Sequence, residues 1–445
     1  MKAKSLFIRS HLNESLICNL RNGGCLIFKN AQAFLDAITE SEGVEDVVEA
    51  KVAKAYGCSP DEVRGDVHGF ITMLKREGIL SSSNVSAGKN TAFSPSVAFD
   101  ANGNIRNDSW TPLGDFYQRH HLPGELHVDL TDRCNERCIH CYIPKGGGRL
   151  IDEDVFYKAV KEFREAQGLT LFVSGGECML HPQFAPFLRF AKDLNLNIVV
   201  MSNLTLCDVR MVSVLQEIDP QFVNVSLYSM DAAIHDSITC VPGSWQKTMN
   251  AILALCEAGV PARLATPVMR ANKDSLPALH QFATEHHLHL IPDCDIFGRI
   301  DHDCSNQQNG LSSEEMECVL KTNPRLFYKM PADAGRCACD AKVCDIGDAR
   351  LNLNAAGDYY PCDGFHSMAL GNAVTDALMD VWNGEKLNKL RALKNKDFGA
   401  CATCANRAWC KVCPMRNFNE TGDIFTHTPA RCAATAIYRK VFKEN

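Results

Sequence analysis

Residues 124–145 read GELHVDLTDRCNERCIHCYIPK, and the fold turns on them. ELHVDL has the polar and apolar alternation of a strand. Cys134, Cys138 and Cys141 follow at once on one loop. Three thiolates on a single loop can bind three irons of a 4Fe–4S cluster. The missing fourth protein ligand leaves one iron open to a substrate, the open position that separates catalytic from structural metal sites. On the residues alone, a zinc knuckle or three unrelated thiols stay open.

Downstream, strand-like and helix-like stretches alternate. LTLFVSGG, NIVVMSN, FVNVSLYS, ARLATPV and HLIPD read as strands; DEDVFYKAVKEFREAQ, FAPFLRFAKDL, DVRMVSVLQEI, SWQKTMNAILALCEAG and DSLPALHQFATEH read as helices. Strands separated by helices imply parallel β/α units whose active residues sit at the strand C-termini. The stretch is too short for eight full units, so an α/β fold with a partial (β/α)6 barrel is expected over residues 116–300.

The whole chain has 445 residues and a net charge of −7, with 46% hydrophobic and 22% charged residues. That balance excludes a disordered or fibrous chain. No run approaches the roughly 20 apolar residues of a membrane span, and the N-terminal MKAKSLFIRSHLNESL has no signal-peptide core. A cytoplasmic protein with no membrane partner is expected. No basic footprint points to nucleic acid. The 22 cysteines are the outlier, three within Cys134–Cys141 and five within Cys401–Cys432. In a long chain without an export signal, such clusters bind metal or do redox chemistry.

Residues 1–80 read as a small α/β unit. SLICNL and CLIFKN flank RNGG, a hairpin signal, and AQAFLDAI has helical spacing. In SPDEVRGDVHGFITMLKREGIL, Ser59, Pro60 and Glu62 form a helix start. Val63, Val67, Phe70, Ile71 and Leu74 recur on one face, and Gly78 ends the run. Residues 81–115 read as a linker, 301–336 as a bridging region, and 337–445 as a loop-rich, Cys-rich region with little core.

The Cys-x3-Cys-x2-Cys loop after a first barrel strand resembles the radical S-adenosylmethionine (radical SAM) superfamily. The resemblance implies a cluster whose open iron binds the amino and carboxylate groups of S-adenosylmethionine. His140 stands where the family usually has an aromatic residue. Gly175, Gly176 and Glu177, at the next strand end, resemble the GGE motif that holds the methionine part; Cys178 replaces a common Pro. By the same resemblance Ser202, Asn203, Ser226 and Arg263 become candidate contacts to S-adenosylmethionine, although strand-end polar residues also serve local backbone.

The C-terminal run resembles the SPASM extension of radical SAM peptide-modifying enzymes, which implies two auxiliary 4Fe–4S clusters. Cys401, Cys404, Cys410 and Cys432 would hold an outer cluster. Cys344, Cys362 and Cys413 would hold an inner one, with Cys339 or Cys337 as the eighth ligand and Cys339 favoured. Two residues, Lys411 and Val412, precede the fourth Cys of the dense run where relatives have three. Two zinc sites are the alternative, since CxxC pairs commonly bind zinc. Cys18, Cys58 and Cys256 read as small core residues; Cys178, Cys207 and Cys240 lie near strand ends or helix starts.

Residues 1–80 resemble a RiPP recognition element, the winged-helix-like module that binds the leader of a precursor peptide by pairing a strand with a sheet edge. Together the resemblances imply a maturase of a ribosomally made peptide. It would use S-adenosylmethionine, three 4Fe–4S clusters and a reductase such as flavodoxin or ferredoxin. Its product would be a thioether or carbon–carbon crosslink, or an epimer. Two rivals are an anaerobic sulfatase-maturase-like enzyme and a non-catalytic zinc or Fe–S scaffold.

Overall fold

The computed structural model describes residues 6–20, 24–41, 43–77, 79–80, 98–99, 105–106, 111–146, 148–327, 338–410 and 412–443. Residues 21–23 of the expected hairpin turn, Gly78, most of the expected linker, residues 328–336 and Cys337 lie outside them.

Three antiparallel strands open the chain: β1 (Leu6–His11), β2 (Glu14–Asn19) and β3 (Gly24–Lys29), in the order β1-β2-β3. Sequence pattern anticipates β2 and β3 but not β1. Helices α1 (Gln32–Glu40), α2 (Glu45–Tyr56) and α3 (Pro60–Arg76) follow. The α3 start is as its residues dictate: the Ser59 amide donates to Glu62 Oε2 at 2.7 Å. Val63, Val67, Ile71 and Leu74 bury one face against α1 and α2, with Phe70 half-buried beside them. A two-residue ladder joins β4 (Ala98–Phe99) to β5 (Ile105–Arg106).

Helix α4 (Thr111–His120) begins inside the stretch read as linker. Phe116 and Tyr117 explain it. They pack with Leu16, Cys18, Cys25 and Leu169 into a small core between the N-terminal sheet and the barrel.

Strands β6 (Glu125–Asp129), β7 (Thr170–Ser174), β8 (Asn197–Ser202), β9 (Phe222–Ser226), β10 (Ala262–Pro267) and β11 (His289–Asp293) run parallel in chain order. Helices α5 (Glu153–Glu165), α6 (Phe184–Asp193), α7 (Val209–Ile218), α8 (Ala232–Thr239), α9 (Ser244–Glu257) and α10 (Leu276–Glu285) alternate with them. Asp152, Asp208 and Asp231 cap α5, α7 and α8 with their carboxylates. Leu126, Val128, Val173, Val200, Val225 and Leu264 lie in the core under the helices. Because strand side chains alternate, His127, Asp129, Phe172, Ser174, Met201, Asn224 and Ser226 turn the other way, into the lumen.

The C-terminal region departs from the sequence expectation. Past α11 (Ser313–Thr322), strand β12 (Arg350–Leu353) adds parallel to β6, and β13 (Asp358–Tyr360) and β14 (Gly371–Asn372) continue antiparallel, making one nine-stranded sheet. Helices α12 (Leu378–Trp382), α13 (Glu385–Arg391), α14 (Pro414–Thr421) and α15 (Pro429–Lys443) complete the chain. The region has a core after all: Trp382, Tyr359, Tyr360, Phe365 and Phe398 are fully buried. Much of that core is shared with the barrel, which local periodicity cannot reveal. Trp382 Nε1 donates to the His121 carbonyl at 2.8 Å, and Lys158 Nζ to the Ala373 and Asp376 carbonyls at 2.6 and 2.9 Å.

Arg9 seals the seam between β1 and the barrel floor. It is 1% exposed; Nε donates to the Gly168 carbonyl at 2.7 Å and Nη2 to the Asn195 carbonyl at 2.6 Å. These carbonyls sit just before β7 and β8. Burial lowers the Arg9 pKa to about 10, still well above neutrality. An Arg9→Met substitution leaves both acceptors buried without a donor, a cost of about 1–3 kcal/mol each. Hydrogen exchange should then rise at least about tenfold in β1 and residues 167–169, with β8 and β9 unchanged.

Candidate cluster and cofactor site

The Cys134–Cys141 loop leaves the C-terminal end of β6 and is clamped from three sides. Gly176 donates to the Thr131 carbonyl at 2.7 Å and Glu177 to the Arg133 carbonyl at 2.8 Å. The end of α8 accepts from the Arg137 and Ile139 amides, at 2.9 and 3.0 Å. Asn306 and Asn309 Nδ2 donate to the His140 and Ile139 carbonyls at 3.1 and 2.8 Å.

The glycines have a more local reason than sequence reading supplies. A Cβ on Gly175 would stand 2.3 Å from the Thr131 carbonyl oxygen, and one on Gly176 2.2 Å from that of Arg133. Gly175 also adopts φ +127°, which side chains disfavour. The close approach they permit is between β7 and the cysteine loop itself.

Glu177 is buried and ties two strand ends together. Its Oε1 accepts from the Ser202 hydroxyl at 2.8 Å and the Met179 amide at 3.0 Å; Oε2 accepts from the Asn203 amide at 2.8 Å. Burial raises its pKa, and these donors oppose the rise. Asn203 reaches on to Asn135 Oδ1 at 3.0 Å, inside the cysteine loop. Glu177, Ser202 and Asn203 therefore gather beside the thiols. Ser226 joins through Tyr228, whose hydroxyl lies 3.6 Å from Cys138 Sγ and also bonds Ser226. Arg263 does not join them. It is the second residue of β10, stacked 3.5 Å over the Phe222 ring and bonded to Asn224 Oδ1 at 3.1 Å, toward the strand N-termini.

Burial pushes the Cys134 thiol up to about 12, and those of Cys138 and Cys141 upward as well. Metal binding must displace those protons. The backbone is already arranged for thiolates. The Glu136 amide donates to Cys134 Sγ, Asn406 to Cys404 Sγ and Arg416 to Cys413 Sγ, each at 3.4 Å. Amides of Ile143, Ile346 and Gly364 serve Cys141, Cys344 and Cys362 in the same way. Such N–H···S bonds stabilise the anionic sulfurs of an iron–sulfur centre. Among the described residues no three His, Cys, Asp or Glu side chains converge as they would on a single ion. His140, in the aromatic position, is half-buried edge-on to Tyr228 with ring centroids 5.1 Å apart, and desolvation lowers its pKa to about 4. A neutral ring does an aromatic residue's packing.

The C-terminal cysteines fall into two neighbourhoods. Burial raises the Cys362 and Cys344 pKa values and the nearby Cys413 adds to both, while burial and the nearby Cys410 and Cys404 raise those of Cys401 and Cys432, which puts Cys344, Cys362 and Cys413 in one group and Cys401, Cys404, Cys410 and Cys432 in another. Cys339 is exposed. Cys178 is buried, its thiol 3.3 Å from the Met201 carbonyl.

Sequence reading missed a lumen cluster. Tyr360 donates to Asp129 Oδ2 at 2.5 Å, His366 Nε2 lies 3.4 Å from the same oxygen, and His127 Nδ1 lies 3.2 Å from Asp363 Oδ1. Burial alone would lower the His127 pKa, but Asp363 and Asp129 raise it to about 10. Asp129 and His366 wall a cavity of about 220 Å³ with Thr131, Asp132, Arg149 and Gly175. The polar run Glu125, His127, Asp129 on one strand face was the available signal; the partners from β13 were not.

Two family models match the chain: the radical SAM superfamily over residues 128–283 and an iron–sulfur cluster-binding domain, SPASM, over residues 344–406. An AdoMet-dependent heme synthase of Methanosarcina barkeri is 24% identical over 332 residues, 68% of this chain and 94% of that protein. The subtilosin biosynthesis protein AlbA of Bacillus subtilis is 24% identical over 72% of this chain and 76% of its own length. The structure of Streptococcus suis SuiB bound to precursor peptide SuiA superposes with a TM-score of 0.60 at 13% identity, covering 97% of this chain and 99% of that one.

Gly176→Ala tests the clamp. Its Cβ cannot coexist with the Arg133 carbonyl, so the cysteine loop must move. The anaerobically reconstituted variant should hold about four fewer irons per chain than the parent, one 4Fe–4S cluster's worth. It should also lose S-adenosylmethionine cleavage. A variant with full iron and full cleavage would show that the loop does not depend on this approach.

Proposed function

We propose that this chain, a radical SAM enzyme with a SPASM iron–sulfur domain, modifies a ribosomally made precursor peptide. The observation that carries the reading is the extent of the fold likeness. It takes in the N-terminal β1–β3 unit as well as the barrel, over 97% of the chain, in a structure described as bound to a precursor peptide. The heme synthase match spans 68% of the chain.

The N-terminal unit would read the leader. β1 is turned to the barrel through Arg9 and through the Ser10 amide, which donates to Gln167 Oε1 at 3.1 Å. Among the described residues no strand pairs with the outer edge of β3. An extended leader would add there by β-augmentation. The core peptide would then reach the mouth of the lumen, where Asp129 and His366 line the cavity beside Gly175.

Cys134, Cys138 and Cys141 would hold the 4Fe–4S cluster, with Gly175, Gly176, Glu177, Ser202, Asn203 and Ser226 shaping the seat for S-adenosylmethionine. Bound there and reduced, that pair would supply radical chemistry, the removal of a hydrogen atom from the peptide. The protein's part is to hold the peptide carbon against the site and keep water out. Asn306, Asn309 and the α8 end fix the loop; Glu177 fixes the ends of β7 and β8. Cys344, Cys362, Cys413 and Cys339 would hold the inner auxiliary cluster, and Cys401, Cys404, Cys410 and Cys432 the outer. The enzyme would work in the cytoplasm with a one-electron donor such as flavodoxin or ferredoxin. Among the described residues no helix is long and apolar enough to cross a membrane.

The test is reaction with a precursor peptide and with its core lacking the leader, read by mass spectrometry. S-Adenosylmethionine cleavage should proceed with either. Core modification should fall on the order of a hundredfold without the leader, because docking raises the local concentration of the core. A mass lower by two hydrogens marks a crosslink; deuterium uptake in heavy water without such a loss marks epimerisation. Equal turnover of both peptides would remove the leader-reading role, and heme production in place of peptide modification would overturn the assignment.

A further inference from the structure

The proposed outer and inner cluster sites are joined by a chain of buried and half-buried charges that the family models do not describe. Arg431 immediately precedes Cys432, an outer-site cysteine, at the start of α15. Its Nη1 donates to Asp295 Oδ2. Asp295 lies just beyond β11, and its Oδ1 accepts from Arg416 Nη1 at 3.1 Å. Arg416 in turn places its own backbone amide on Cys413 Sγ, an inner-site cysteine, at 3.4 Å. The path Cys432–Arg431–Asp295–Arg416–Cys413 thus runs from one site to the other through one carboxylate.

Two further observations give the path an electrical meaning. Arg431 Nε is buried and has no hydrogen-bond partner among the described residues, so one N–H of a fixed cation is left over. The Arg416 side chain is 8% exposed and held by Glu420 Oε1 at 2.7 Å, itself fixed by Gln307 Nε2 at 2.7 Å, so this cation cannot swing away.

We infer that Arg431 and Arg416, locked in place by Asp295, set the reduction potentials of the two auxiliary clusters. This rests on the ligand sets proposed above. Reduction of a cluster adds one electron and makes its charge more negative. A cation held nearby in a medium of low dielectric favours that state, and a carboxylate opposes it. Arg431, next to the outer site, should act most on the outer cluster. Arg416, on Cys413, should act most on the inner one. Asp295, between them, orients both cations and offsets part of their field. These are positioning residues, since none would ligate iron.

The experiment is a potentiometric titration of the reconstituted full-length enzyme followed by electron paramagnetic resonance, with iron content and circular dichroism alongside. Arg431→Gln should shift an auxiliary midpoint negative. Asp295→Asn should shift an auxiliary midpoint positive, while Arg431→Lys keeps the parent value more closely than Arg431→Gln. Opposite signs from neighbouring substitutions are not what loosened packing produces. Unmoved potentials, or shifts of one sign in both variants, would overturn the inference. Should Asp295→Asn lose iron, the Arg431 pair decides alone: a negative shift in Gln, restored in Lys, supports the inference, and its absence refutes it. Absence of auxiliary-cluster signals in the parent enzyme would instead strike at the ligand sets, which separates the two failures.

Discussion

The backbone approach between the end of β7 and the cysteine loop is the constraint on which the site depends. At Gly175 and Gly176 the chain passes so near residues 131–133 that a methyl group would collide with carbonyl oxygens at 2.2 to 2.3 Å. Two amides donate hydrogen bonds across that gap. The loop that presents three thiols is therefore positioned by the second barrel strand, not by its own sequence. Glu177 extends the tie to β8 through Ser202 and Asn203, and Asn203 returns to the loop at Asn135. Three strand ends and one loop thus become a single hydrogen-bonded body. Such a body can hold a reactive centre without rearranging.

Thiolate chemistry then decides how the rest of the chain is used. The proposed iron–sulfur ligands would be anions, and buried anions need donors. The backbone supplies an amide to Cys134, Cys141, Cys344, Cys362, Cys404 and Cys413. The C-terminal region can afford its loops because much of its core is shared with the barrel. β12 extends the barrel sheet at β6, and Trp382 and Lys158 cross the boundary.

The same junction builds the lumen cluster. His127 and Asp129 come from the first barrel strand; Tyr360, Asp363 and His366 come from β13 and the turn after it. Arg350, on β12, bonds Asp363 Oδ2 at 3.0 Å and Glu125 Oε2 at 2.7 Å and lies over the Phe172 ring. Opposite charges on each side of the seam hold it shut, and Asp129 and His366 remain on the cavity wall.

What the sequence determined by itself was everything with a local cause. The alternation of strand and helix gave six parallel strands in chain order, because each unit's periodicity lies within its own residues. Ser59, Pro60 and Glu62 dictated the α3 start, because a cap involves neighbours three residues apart. The cysteine spacing marked the loop. Only the tertiary structure decided the rest. β1 was missed because its stability comes from β2 and from Arg9 on the barrel floor, more than 150 residues away. Helix α4 was read as linker because its apolar face answers the N-terminal sheet. The close approach of Gly175 and Gly176 to the loop at Thr131 and Arg133 was not legible, because that neighbour is distant in sequence. Arg263 carries the right chemistry, yet the strand places it at the wrong end, on Phe222. The joining of β12 to β6, and of Asp129 to Tyr360, pairs residues more than 200 apart. No periodicity encodes such pairings, because they depend on the free surface each element is left with once its local structure has formed.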